Sequence, residues 1–192
     1  MLLANVAAAE YALQHDVPML YRIHEPPEFS RIQKVRDFVK LLGLPFPEQP
    51  TQKDYQAVID ATKDRIDAPS IHAVLLRSMM QAYYGANNAG HFGLAYEAYT
   101  HFTSPIRRYP DLLLHRAIKA KLKHKPAPLS GAALDDAGQH FSATERRADE
   151  ASRSVTTWLK CHYMQQHLGE EFVGTISAVA EFGLFVTLKD LY

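Results

Sequence analysis

Two prolines close together, Pro105 and Pro110, constrain the middle of this chain more than any other feature. They lie in the run Tyr-Thr-His-Phe-Thr-Ser-Pro-Ile-Arg-Arg-Tyr-Pro-Asp-Leu-Leu-Leu-His-Arg at 99–116. Ser104 suits a helix N-cap, and Pro105 suits the first helical position, where no backbone donor is needed. A helix running on from Pro105 would meet Pro110 and lose the hydrogen bond to Ile106. Either the first turn is short and a new helix begins near Pro110, or the helix kinks there. Both versions hold Arg107 and Arg108 on a bend. A helix start offers free N–H groups and partial positive charge, and a guanidinium adds a planar fork; all three attract phosphate. Arg107, Arg108, His101, Thr103 and Ser104 are therefore candidate phosphate ligands. The plainer alternative is a capped surface helix with solvated arginines.

Charge supports a local reading only. The chain of 192 residues has zero formal net charge at pH 7, so no global attraction to a polyanion is available. Between 101 and 125, however, Arg107, Arg108, Arg116, Lys119, Lys121, Lys123 and Lys125 are opposed by Asp111 alone. Such a patch can bind a polyanion while the whole chain stays neutral. The single cysteine, Cys161, rules out an internal disulfide framework or a cysteine zinc site. No apolar run approaches the roughly 18 residues of a membrane span, and the opening lacks a basic leader. The apolar share of 47% and charged share of 22% are those of an ordinary globular protein.

The rest of the chain reads as helices interrupted by short extended pieces. Residues 1–15 are alanine-rich and helical, with Asn5 a polar residue among small apolar ones. Met19 to Ile23 is extended. Phe29 to Leu42 is helical, with Phe29, Ile32, Val35, Phe38, Val39 and Leu42 on one face and Gly43 as stop. Thr51 and Asp54 form a capping box. Ser70 is expected to cap the next helix, which carries Ile71, Val74, Leu75, Met79 and Tyr83 and ends at Gly85; Met79 and Met80 read as core filling. Gly90 to Tyr99 reads as a strand or hairpin arm, with His91 structural. A long helix is expected from Leu134 or Asp135 to about His167, its face marked by Phe141, Ala148, Val155, Leu159 and Tyr163. Its charged half contains Glu145, read either as part of a salt-bridged surface or as turned toward a substrate channel. Two strand-like runs follow, at 172–179 and 182–188. Phe182 and Phe185 beside Gly183 could stack bases on a small barrel. Two strands cannot close a barrel, and both ends look cut from something longer.

The runs His-Phe-Gly-Leu-Ala-Tyr at 91–96, 99–112 with His115-Arg116, and Glu-Arg-Arg-Ala-Asp-Glu-Ala-Ser-Arg at 145–153 with Trp158-Leu-Lys-Cys161 resemble the ribonuclease II and ribonuclease R family, its ribonuclease R branch most closely. The likeness covers essentially the whole chain. It implies an α+β, helix-rich partial catalytic domain over 1–168, followed over 169–192 by the first two strands of an incomplete OB-type barrel. It implies a parent enzyme, cytoplasmic and monomeric, that degrades single-stranded RNA processively from the 3′ end to nucleoside 5′-monophosphates. By the resemblance Arg107 grips the scissile phosphate, Glu145 lines the 3′-terminal pocket, Asn5 is an active-site asparagine, and Phe182 and Phe185 take the stacking positions. Magnesium is the implied cofactor, but the family's aspartate cluster has no counterpart in this sequence. The fragment alone is accordingly expected to be inactive, and the alternative is a non-catalytic RNA-binding module.

Overall fold

The computed structural model describes residues 1–189, apart from the side chain of Ala178. In chain order the elements are α1 (Leu2–Gln14), β1 (Tyr21–Ile23), α2 (Phe29–Leu41), α3 (Gln52–Thr62), α4 (Ala68–Ser78), β2 (Tyr83–Gly85), α5 (Tyr109–Leu122), α6 (Ala132–Met164), β3 (Gly174–Ala180) and β4 (Gly183–Leu188). Short 3-10 turns occupy Phe92–Leu94 and Gln165–His167. The fold is helix-rich α+β, with two small antiparallel sheets, β1–β2 and β3–β4, and no closed barrel among the described residues. Contacts divide the chain into two units, Met1–Arg146 and Arg147–Tyr192, so the division falls within α6.

In the first unit, the alanines of α1 let that helix lie close to the sheet. Ala8, Ala9 and Ala12 pack on Tyr21 and Ile23 of β1 and on Leu114 and Ala117 of α5. A second cluster joins α2, α3 and α4 through Val35, Val39, Tyr55, Val58, Ile71 and Leu75. Each such buried aliphatic side chain contributes on the order of 1.5–3 kcal/mol. The capping box at the start of α3 forms as its sequence pattern indicates, with Asp54 accepting from both the N–H and the hydroxyl of Thr51 at 2.7 Å. Those bonds hold the Asp54 carboxyl below the usual carboxylate range.

Local pattern misplaced several boundaries. α4 begins after Asp67, with Pro69 in its first turn, so Ser70 lies inside the helix. It ends at Ser78 rather than Gly85, and Tyr83 to Gly85 instead form β2, paired with β1. The helical spacing through Tyr83 was coincidental, because pairing with Tyr21 to Ile23 overrides it. The stretch at 90–99 forms no regular strand, only single bridges from His91 to His24 and Tyr96: His91 Nδ1 accepts the N–H of Leu94 and folds it into a 3-10 turn that closes on left-handed Ala95. Phe29 is 65% exposed and does not share the buried face of α2.

The first half of α6 covers the free edge of β2. Ser142 Oγ accepts the N–H of Tyr84 at 2.8 Å and donates to the carbonyl of Gly138 at 2.7 Å. A Cβ on Gly138 would lie 2.8 Å from the Tyr84 carbonyl, so only glycine admits this approach. The edge donor is thereby satisfied by a helix side chain instead of another strand.

In the second unit, β3 and β4 form an antiparallel hairpin from Gly174↔Leu188 to Ala180↔Gly183. Val155, Leu159 and Tyr163, which recur at helical spacing along α6, are more than half exposed there.

Candidate functional site

The helix start expected at Ser104 is displaced. Ser104 and Pro105 enter a single turn in which the Ser104 carbonyl accepts the N–H groups of Arg107 and Arg108. α5 then starts at Tyr109 with extended Arg108 as N-cap and Pro110 in the first turn. Of the two versions that Pro110 allows, the chain adopts the new helix. The physical reason is the missing N–H of Pro110, which is harmless only in a first turn.

The irregular segment from Tyr99 to Arg108 is braced from several elements. The Tyr99 carbonyl accepts from the N–H of Arg22, and Thr100 Oγ1 donates to the Leu20 carbonyl at 2.7 Å. Asn5, 4% exposed on α1, donates to the Tyr99 hydroxyl at 2.9 Å. Its Oδ1 accepts the N–H groups of Phe102 at 3.0 Å and Thr103 at 3.2 Å. Asp111, with no exposed surface, takes the N–H of Ser104 at 2.8 Å. His115 Nε2 donates to the Phe102 carbonyl at 2.9 Å, with its ring stacked on Phe102. A loop with its polar groups committed in this way is preorganised.

Among the sequence-derived candidates, Arg107 is exposed and makes no ion pair or side-chain hydrogen bond among the described residues. Arg108 is committed inward, with Nη2 donating to Asp111 Oδ1 at 2.8 Å. Asn5, too, is committed to protein partners. Thr103 and Ser104 are half-buried in the loop, and Thr103 Oγ1 has no hydrogen-bond partner among the described residues. His101 Nδ1 lies 2.8 Å from the hydroxyl of buried Tyr84. Phe182 and Phe185 belong to the second unit, where they form an exposed edge-to-face pair 5.7 Å apart.

Glu145 is not part of a helix-surface charge ladder. It accepts from Arg22 Nη1 at 2.6 Å across two elements, and the Arg22 guanidinium lies 4.7 Å from the centre of the Tyr84 ring. Arg22 and Tyr84 are register partners in β1 and β2. The site thus gains three residues that sequence reasoning left unassigned or passed over: Arg22, Tyr84 and Asp111. The available signal for Arg22 was an arginine between Tyr21 and Ile23 in an otherwise apolar strand. For Asp111 it was a lone acid within a basic run. Beside β2 and α6 lies a groove of about 800 Å³, lined by Tyr83, Asn87, Gln139 and Arg146 among others. Neither Arg107 nor Glu145 lines it.

Burial governs protonation here. It pushes the Tyr84 phenol up to about 12. Burial, then the nearby Arg108 and Arg22 cations, push His101 down to about 3. Burial, then His24, push His91 down to about 4. Both histidines are neutral in the folded protein near pH 5, whereas an unfolded histidine titrates near ~6.5. Their contribution to stability is complete above that value and is lost as pH falls toward 4 and 3. The urea midpoint is expected to drop between pH 7 and pH 5, and His101→Gln is expected to shrink that drop. An equal drop in the variant would remove His101 from this account.

No three His, Cys, Asp or Glu side chains among the described residues are grouped to hold a metal ion.

Comparison with known proteins places this arrangement in a family. The RNB domain model matches residues 1–124, which include Asn5, Arg22, Tyr84, the 99–108 loop and Asp111. Ribonuclease R of Vibrio parahaemolyticus is 48% identical over the whole of this chain, which covers 25% of that protein. Ribonuclease R of Escherichia coli K12 is 44% identical, again over the whole chain and 25% of the relative. The chain therefore spans about a quarter of the length of these relatives. The solved structure of Mycoplasma genitalium RNase R in complex with ribose-methylated single-stranded RNA matches with a TM-score of 0.89 at 27% identity, covering 100% of this chain and 31% of that one. With the braced loop inside the matched region and the whole of this chain aligned to a quarter of its ribonuclease R relatives, the chain belongs to the RNB domain family.

Proposed function

We propose that this chain forms the phosphate-gripping wall of a 3′-to-5′ exoribonuclease that shortens single-stranded RNA to nucleoside 5′-monophosphates. One observation carries the reading: a loop braced by buried side chains leaves the Arg107 guanidinium exposed and uncommitted among the described residues. Arg107 would bind the scissile phosphate, where negative charge develops in the transition state. Glu145, oriented by Arg22, would accept hydrogen bonds from the ribose hydroxyls at the 3′ end. Phe182 and Phe185 would stack bases, and the β3–β4 hairpin would open an OB-type barrel.

Magnesium, which the family likeness implies, does not fit the donor set described here, since no acidic cluster is present among these residues. The proposal puts its ligands outside residues 1–192. No helix among the described residues is long and apolar enough to cross a membrane; a cytoplasmic, monomeric parent enzyme is part of the same proposal.

The missing acidic cluster favours a second reading, a module that binds RNA without cutting it. The test is a 5′-labelled single-stranded oligonucleotide incubated with magnesium, once with this chain and once with a protein of the relatives' length. The first reading expects retention by the chain alone, and stepwise shortening with release of monophosphates by the longer protein. Retention by both without shortening would establish the second.

A further inference from the structure

We propose that Asp111 is a positioning residue that gives two adjacent, chemically identical arginines different tasks. It draws Arg108 into the protein and leaves Arg107 as the guanidinium that meets the RNA backbone. The inference deepens the proposed function and rests on its reading of Arg107.

Asp111 sits in the first turn of α5, where the helix N-terminus favours an anion. Its carboxylate is fully buried, and a single oxygen, Oδ1, holds both the Ser104 N–H and Arg108 Nη2 at 2.8 Å. These bonds fix both sides of the turn that carries Arg107. A buried carboxylate requires a cation, and Arg108, at 20% side-chain exposure, supplies it. Arg108 is thereby spent inside the protein. Arg107, one residue earlier, lies on the exposed side of the turn. The pairing is not a two-pronged fork: Asp111 Oδ2 and Arg108 Nε are buried without hydrogen-bond partners among the described residues. Charge attraction through one oxygen is therefore what retains Arg108, and removing the charge should release it.

The salt dependence of RNA binding reads this division directly. Each phosphate contact on a single strand contributes about 0.7 to the slope of log K against log salt. With the 192-residue chain and a U12 oligonucleotide, Arg107→Gln is expected to flatten the slope by about 0.7, the value for one contact. Arg108→Gln is expected to leave the slope unchanged. Asp111→Asn keeps the shape and the acceptor for Ser104 but removes the charge. It is expected to steepen the slope by about 0.7 as Arg108 joins the phosphate contacts. The double variant Asp111→Asn with Arg108→Gln should return to the wild-type slope; a steepening that depends on Arg108 in this way is a result that a purely structural aspartate would not produce.

An unchanged or flatter slope in Asp111→Asn overturns the proposal. So does Arg108→Gln flattening the slope as Arg107→Gln does, an outcome that stands even if Asp111→Asn fails to fold. An unchanged slope in Arg107→Gln overturns the functional reading of Arg107 instead. Absence of any U12 binding at low salt overturns both.

Discussion

Arg107→Ala, in a protein of the relatives' length, is expected to lower the rate of RNA hydrolysis by on the order of 10²–10³-fold while weakening RNA binding far less. The difference follows from where the guanidinium acts. A threaded strand is held by many phosphate contacts, so losing one costs little affinity. The charge that appears on the scissile phosphate in the transition state is met by far fewer donors. Such a donor works best when it is already in place, and the 99–108 loop supplies that placement through Asn5, Asp111 and His115. Single-turnover rates and dissociation constants measured together check the split. Equal losses in both would reduce Arg107 to an ordinary binding contact. Arg108→Ala provides the contrast: its effect is expected mainly in stability, because it leaves the Asp111 carboxylate buried without a cation.

Asn5→Ala is expected to destabilise the fold by about 3–4 kcal/mol. The substitution strands three groups at once: the Tyr99 hydroxyl and the N–H groups of Phe102 and Thr103. Asn5 is 4% exposed, so water cannot readily replace the lost amide. A loss of this size is a large part of the roughly 5–15 kcal/mol by which a domain is stable. Urea unfolding should show a lower midpoint at an unchanged slope with denaturant. A shift below about 1 kcal/mol would mean that other contacts suffice to hold the loop. The result also bears on Asn5 itself, whose amide is committed to protein partners in the RNA-free structure.

Elements with local signatures were readable from the residues. The alanine-rich α1, the capping box of α3, the long α6 and the β3–β4 hairpin each carry their signal within a few neighbouring positions. The Pro110 conflict also correctly limited the helix start to two forms. What stayed hidden depends on partners remote in the chain. Ser104 has the chemistry of a cap, yet its N–H is taken by Asp111, and the helix begins later. Tyr83 continues a helical spacing until β1 pairs with it. Glu145 looks like one more charge on a polar helix until Arg22 reaches it from a strand. Local chemistry does not separate Arg107 from Arg108; the resemblance singled out Arg107, and the pairing of Arg108 with buried Asp111 gives the two side chains different surroundings. The family likeness supplied candidates for the interface, and the tertiary contacts then divided those candidates into exposed and committed side chains.

The function proposed for Arg107 needs a loop that is rigid before RNA binds. Amide hydrogen exchange at Phe102, Thr103 and Ser104 in the RNA-free protein tests this most directly, since their acceptors are the buried side chains of Asn5 and Asp111. Protection comparable to that of the α5 core is expected, with little further slowing on adding RNA. Exchange as fast as in an open surface loop, slowing only when RNA binds, would contradict it.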